Sequence, residues 1–382
     1  MAAVARDPRD GRWLARWRDP GGAQRKKSFD RRADAQRWLD QMRAETHRGQ
    51  YIDPRAATVR VGDLAHAWAA GLSHLKESTA ARYRGIVRVH VLPAFGEWQL
   101  DQVRRSDVQA WVETLSSTGR APGTVRQCHR VLSMILETAV DDGRIARNPA
   151  RGVKLPRQRR AEPRFLAADE VAAQVRAAGA QGPALAVLAL CGLRFGELAA
   201  LRVRDVDTRR RRLTVAGSVT EVAGRLVWSD PKTGRSRSVP YPASLGPTMD
   251  ALMRGKALDD QLVTSPEGGV LRLGNWRTRV FDPAARAIGR SDISPHDLRH
   301  TAASLAIKAG ANVKAVQQML GHASAAMTLD VYAGLFDDDL DSVADALDVM
   351  MTKAALEASR TGGSPPKEPP WTRGPTREAP RI

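Results

Sequence analysis

Cysteine is nearly absent from this 382-residue chain, which carries only Cys128 and Cys191. Both fall inside apolar, helix-like patterns, so they read as small core residues and not as a disulfide, in keeping with a reducing cytosol. Long hydrophobic runs are missing too. The longest, Ala184 to Leu193, has ten residues, about half of the roughly 20 that a helix needs to cross a bilayer. Met1 to Asp10 carries charges without the apolar stretch of a signal peptide. These gaps lead us to expect a soluble, cytoplasmic protein with no membrane partner. Tyrosine is also scarce, with four in the chain, so one that follows a polar motif stands out. Acids fall well short of bases, 42 against 60, giving a formal charge of +18 and a sequence pI near 10.8. A positive field of that size favours a polyanion such as nucleic acid.

What is present suggests several domains, because 382 residues exceed one typical domain. The first 48 residues hold 13 bases and 7 acids. There Trp13, Ala15 and Trp17 alternate with Arg12, Leu14, Arg16 and Arg18, the pattern of a strand with one aromatic and one largely cationic face. Asp19 to Gly22 reads as a turn, Gln24 to Phe29 as the returning strand, and Ala35, Trp38, Leu39 and Met42 as a helix stripe. Residues 58–148 read as a helical bundle. Its helices carry Leu64 and Trp68; then Tyr83, Ile86, Val87 and Val91 after a cap at Ser78; then Val108 to Leu115; then a long stripe from Val125 to Ala139. Residues 149–163 are a basic linker with Arg151, Lys154, Arg157, Arg159 and Arg160 and no acid in its 151–160 core. A third domain spans 164–351, and a proline-rich tail, 352–382, is expected to be disordered. The expected fold class is mainly α with small β-sheets, a multidomain α+β chain.

The third domain carries the chemistry. Gly192-Leu193-Arg194-Phe195-Gly196-Glu197-Leu198 follows an apolar helix that Gly192 interrupts, which turns Arg194 from the core towards a ligand. A guanidinium gives two parallel hydrogen bonds to phosphate oxygens and stays charged. Leu213–Val219, Gly224–Trp228 and Arg235–Tyr241 have strand composition, which puts Lys232 at a hairpin tip in the turn Asp230–Gly234. Ser294-Pro295-His296-Asp297 reads as a capped helix start. Leu298, Ala302, Leu305 and Ala309 then face the core, while His296, Arg299 and His300 lie on a neighbouring polar face near the free amides of the first turn. His300 is assigned a packing or supporting place. Asn312 caps the next helix, Gly321 ends it, and His322 follows at the cleft. Ser324 opens a short helix that finishes near Tyr332, and acids at Asp337–Asp339 start a last one with Leu340, Val343, Ala344 and Leu347. Clustered cations are expected to lower the Tyr332 pKa.

In this order Arg194, Lys232, His296, Arg299, His322 and Tyr332 resemble the tyrosine recombinase (phage integrase) family, closely over residues 58–350 and loosely before that. None of the six positions departs from the family pattern. The resemblance implies that Tyr332 attacks a DNA phosphate to give a 3′-phosphotyrosyl enzyme and a free 5′-hydroxyl. Arg194, His296, Arg299 and His322 would stabilise the charged intermediate state, and Lys232 would protonate the leaving oxygen. It also implies a site-specific recombinase that needs no cofactor, metal or ATP and serves the integration or excision of a mobile element. The implied partners are double-stranded DNA and a homo-tetramer on it, with a host DNA-bending protein and an excision factor. The bundle becomes the core-binding domain, and the N-terminal unit (1–50) an arm-type DNA-binding domain. The last helix docks on a neighbouring protomer or folds back on its own domain.

Other readings stay open. They are a Xer-like chromosome-resolution recombinase, a topoisomerase-like nicking-closing enzyme and a non-catalytic DNA-binding regulator of the same fold. A metalloenzyme is the fourth: His296 and His300 are spaced i, i+4 as zinc ligands are, with His322 as a third. Against it, Asp297 stands where a zinc protease carries glutamate, and Arg299 between the histidines repels a metal ion.

Overall fold

The structure is a computed structural model that describes residues 3–19, 22–47, 56–158, 162–229, 236–335 and 339–360. It divides into two units, residues 1–161 with 221–227 and residues 162–220 with 228–382. The architecture is mainly helical with small sheets, a multidomain α+β fold.

In the first unit β1 (Ala3–Arg6), β2 (Trp13–Arg18) and β3 (Gln24–Phe29) form an antiparallel sheet in that order. Ala15 and Trp17 of β2 are buried, as are Ala35 and Leu39 of α1 (Arg32–His47), which packs on that strand. Cations shield the aromatic rims: Arg32 sits 5.6 Å from the Trp13 ring centre and Lys27 5.5 Å from that of Phe29. Arg16 and Lys26 are cross-strand partners, and with Arg18 they leave the sheet an exposed basic face. Pro20 and Gly21 of the expected turn lie outside the described residues.

The bundle follows, with α2 (Val61–Ala70), α3 (Glu77–Ile86), α4 (Leu92–Phe95), α5 (Arg105–Ser117) and α6 (Pro122–Asp141) around one core. The whole α6 stripe, from Val125 through Ile135 to Ala139, is buried as its spacing predicts. The expected cap at Ser78 is not used: Lys76 holds the cap position, two residues earlier, and Glu77 sits beside the free amides of the first turn. Between α3 and α4, Val87–Val91 form a π turn in which the Leu92 amide bonds back to the Val87 carbonyl. Pro93 has no N–H to give, so the wide turn comes just ahead of it.

The basic stretch after the bundle is not a free linker in its first half. Val153 and Leu155 pack against the bundle core. The Lys154 amide donates to Gln109 Oε1 at 2.9 Å, and Arg126 donates to the Pro156 carbonyl at 3.3 Å. Two apolar side chains among the cations suffice to dock it. Arg159 and Arg160 lie outside the described residues.

After residue 161 the chain runs α7 (Ala168–Ala177), α8 (Gly182–Cys191), α9 (Phe195–Ala200), β4 (Val206–Asp207), β5 (Arg212–Val215), β6 (Ser218–Val222), β7 (Arg225–Ser229), β8 (Arg237–Pro240) and α10 (Gly246–Met253). It continues with α11 (Leu273–Trp276), α12 (Asp282–Ala287), α13 (Asp297–Lys308), α14 (Val313–Leu320), α15 (Ala325–Tyr332) and α16 (Asp339–Arg360). Because α8 is apolar on every side, it is the central helix, with α7 and α13 packed on it. A second π turn, Arg277–Phe281, again stands just before a proline, Pro283.

Two expectations need correction. Leu213–Val219 is not one strand: it breaks at Ala216–Gly217, because β5 joins a sheet of order β4-β5-β8 while β6 pairs with β7. β7 and β8 therefore belong to two different sheets; the expected turn Asp230–Gly234, with Lys232, lies outside the described residues. The chain also stays helical past Met351, since Ala354, Ala355, Leu356 and Glu357 are strong helix formers and α16 continues to Arg360. Along α16, Leu347, Val349, Met350 and Met351 are exposed, so these side chains are not folded back on the chain's own core. Residues 361–382 lie outside the described residues.

Candidate functional site

The loop between α8 and α9 is shaped by its two glycines. Gly192 ends α8 in the left-handed region, φ 64° and ψ 26°, where a Cβ would sit 2.9 Å from Leu320 Cδ2. Gly196 opens α9 so close to β6 that a Cβ would lie 2.5 Å from the Val219 carbonyl oxygen. Between them Arg194 holds an extended backbone just ahead of α9. The Glu197 carboxylate turns back to accept the Arg194 amide at 2.8 Å and its guanidinium at 2.8 Å. Glu197 also takes a two-pronged contact from Arg237 of β8, at 2.8 and 2.6 Å, and Arg237 Nε reaches the Met319 carbonyl at 3.2 Å. Burial raises the Glu197 pKa, but the bonds and charges of Arg237 and Arg194 outweigh it and hold it at about 2. The Arg194 side chain remains 37% exposed against 14% for Arg237. Arg194 is thus the guanidinium offered to a ligand.

The start of α13 also differs from expectation. The helix begins at Asp297, not at Pro295, and the capping roles are reversed: the Asp297 carboxylate accepts from the Ser294 amide and hydroxyl, both at 2.7 Å. Arg299 is not on an open polar face. It is 3% exposed and donates to the Gly192 carbonyl at 2.6 Å and to the Leu320 carbonyl. Those carbonyls close the C-terminal ends of α8 and α14, where the partial negative charge of a helix gathers. Periodicity placed Arg299 on a polar face next to the core stripe; two helix ends offering acceptors there explain its burial. Desolvation first, then the Arg194 charge, pushes its pKa down to about 9, so it remains cationic at neutral pH.

Asn312 caps α14 by accepting the Ala315 amide at 2.9 Å, and Gly321 ends the helix at φ 66°, both as the sequence predicts. His322 follows with Nδ1 3.0 Å from the Thr328 hydroxyl. Burial, then Arg299 and Arg194, lower its pKa to about 4, so it is neutral at pH 7. Tyr332 is the last residue of α15 and only 2% exposed, packed with Ala303, Ile307, Val316 and Leu320. Its hydroxyl lies 2.7 Å from His300 Nδ1. The expected fall in its pKa is not found: burial raises it to about 12, more than the Arg299 charge lowers it. His296 is exposed at the rim, its ring edge-on to His300 at 5.3 Å and 88°. Partial desolvation, then Arg299, lowers its pKa.

Arg194, His296, Arg299, His322 and Tyr332 therefore converge in the second unit, where three guanidiniums (Arg194, Arg237, Arg299) face one carboxylate, Glu197. Clustered guanidiniums of this kind can take a phosphate, and the Tyr332 phenol lies beside Arg299. Sequence reasoning missed Arg237, whose strand gave no motif. It also set His300 aside, although His300 and Tyr332 touch; the i, i+4 spacing from His296 was the available signal.

Among protein-family models, residues 162–338 match the phage integrase family and residues 68–116 the phage integrase N-terminal SAM-like domain. The integrase of Mycobacterium phage D29 is 28% identical over 351 residues, covering 85% of this chain and 90% of that protein. The tyrosine recombinase XerC of Mycobacterium leprae is 31% identical over 276 residues, 66% of this chain and 86% of that protein. A lambda integrase tetramer bound to a Holliday junction matches in fold with a TM-score of 0.57 at 20% identity, over 81% of this chain and 90% of that one. With Arg194, His296, Arg299, His322 and Tyr332 brought together in the second unit, the chain belongs to the phage integrase family of tyrosine recombinases.

Proposed function

We propose that this chain is a site-specific integrase that cuts and rejoins double-stranded DNA for a mobile element. The observation that carries the reading is the meeting of one buried phenol, Tyr332, with the guanidinium of Arg299, which itself faces Arg194. Tyr332 attacks the scissile phosphate in line, forming a 3′-phosphotyrosyl link and releasing the 5′-hydroxyl. Arg194 gives hydrogen bonds to the non-bridging oxygens. Arg299, with one donor on each of its two terminal nitrogens bonded to a backbone carbonyl, contributes charge. His322 with Nδ1 accepting from Thr328 carries its proton on Nε2 and acts as a neutral donor, and His296 donates from the rim. Lys232 serves the leaving oxygen. The ester keeps the bond energy, so rejoining requires neither ATP nor a metal ion. The crossed rings of His296 and His300, with Nδ1 of the latter at Tyr332, support a metal-free reading.

The rest of the molecule fits the same role. The basic face of the N-terminal sheet suits an arm-type DNA site, the helical bundle the core site, and the exposed apolar side chains of α16 a neighbouring protomer in a tetramer on DNA. A host DNA-bending protein and an excision factor complete the assembly, in the cytoplasm at the nucleoid. A Xer-like resolution role is the second reading, favoured by the XerC relative. The longer match to the D29 integrase, 85% of this chain against 66%, favours integration.

The test is incubation with a nicked suicide DNA substrate in EDTA. Wild type should yield a protease-sensitive covalent adduct mapping to Tyr332, and Tyr332→Phe none. An adduct elsewhere, or none from wild type at cognate DNA, refutes the proposal.

A further inference from the structure

We infer that His300 is the general base that takes the Tyr332 proton as the phenolic oxygen attacks; this rests on the function proposed above. The phenol touches His300, whose Nδ1 lies 2.7 Å from its oxygen. Its other polar neighbours are committed elsewhere. Arg299 is a cation bonded to the Gly192 and Leu320 carbonyls, and His322 Nδ1 is at the Thr328 hydroxyl. Direction follows from chemistry: a phenol beside an imidazole nitrogen is the better acid, so the O–H donates and Nδ1 accepts, leaving the ring proton on Nε2.

The surroundings keep that lone pair available. Desolvation, then His296, lowers the His300 pKa; Arg299 acts the same way and Asp297 opposes. His322, from the loop after α14, also faces it. With the phenol at about 12, only about 0.001% is ionised at pH 7, so attack needs a base in contact. The step balances simply. The Tyr332 O–H proton passes to His300 Nδ1 as the oxygen–phosphorus bond forms, and the phosphorus–O5′ bond breaks with a separate acid protonating O5′. On rejoining, the 5′-hydroxyl attacks and gives its proton back to the group that had protonated O5′, the phosphorus–phenolic oxygen bond breaks, and His300 returns its proton to the departing phenolate.

His300→Asn tests this, because an amide oxygen occupies the Nδ1 position and accepts the hydrogen bond without being basic. Adduct formation on the nicked substrate should fall by about 10²-fold or more, with DNA binding kept. The variant's rate should then rise about tenfold per pH unit between pH 7 and 9, where wild type is flat. A more acidic phenol, 3,5-difluorotyrosine at position 332, should restore the variant by at least tenfold. A rate and pH profile like those of wild type would reduce His300 to a holder and overturn the inference. If His300→Asn fails to fold, difluorotyrosine in the otherwise unaltered chain replaces it: the solvent deuterium isotope effect on adduct formation should shrink, and an unchanged one overturns the inference. Wild type giving no adduct at Tyr332 would instead refute the proposed function itself.

Discussion

Replacing Glu197 by glutamine removes the carboxylate on which Arg194 and Arg237 both converge. The group is 4% exposed and titrates at about 2 where an ordinary glutamate does so at 4.5. That difference corresponds to about 3 kcal/mol of folding free energy at neutral pH, from about 1.4 kcal/mol per tenfold change. The sign is that of a depressed carboxylate: the stability is fully present above about pH 4.5 and is lost as the pH falls towards 2. At about pH 3 roughly half remains. For a unit of this size 1 kcal/mol moves the melting temperature by about 2–4 °C, so Glu197→Gln should melt about 6–12 °C lower at pH 7. Scanning calorimetry at pH 7, 5 and 3 reads the gap, and hydrogen exchange in α8 and α9 localises it. Other groups titrate in both proteins and cancel in the difference. A gap that is absent at pH 7, or that stays constant down to pH 3, refutes the reasoning.

Two further substitutions probe the same framework. Gly192→Ala puts a Cβ 2.9 Å from Leu320 Cδ2 and 3.2 Å from Met319 Cε at φ 64°, and should cost about 1–3 kcal/mol in urea unfolding. Gly289→Ala, at φ 72° with open space around it, should cost less, and equal losses would contradict the packing argument. Arg299→Lys reaches one of the two helix-end carbonyls and strands the other, so a loss of about 1–3 kcal/mol and a sharp fall in adduct formation are expected. A lysine variant as stable as wild type in the same titration would show that the second carbonyl finds another donor.

The helices of the second unit were largely legible, because caps and glycines fix their ends by local chemistry. Asn312, Gly321, Ser324 and Gly192 all act where the sequence places them. Strand pairing was not, since whether Leu213–Val219 continues or breaks depends on which partner each half finds. At the site, motif order named five residues that the fold brings together, but not their state. Helical periodicity cannot foresee that Arg299 meets two helix ends, and a count of nearby cations cannot foresee that burial outweighs them at Tyr332. Arg237 stayed hidden because its partner, Glu197, lies 40 residues away in sequence.

The Arg299 side chain has a mechanical consequence. By gripping the last turns of α8 and α14 together, it couples the segment that presents Arg194 to the one that presents His322. Neither segment can shift without disturbing the other, so the spacing between Arg194 and His322 is inherited from folding, and in the proposed reaction it need not be built when DNA arrives.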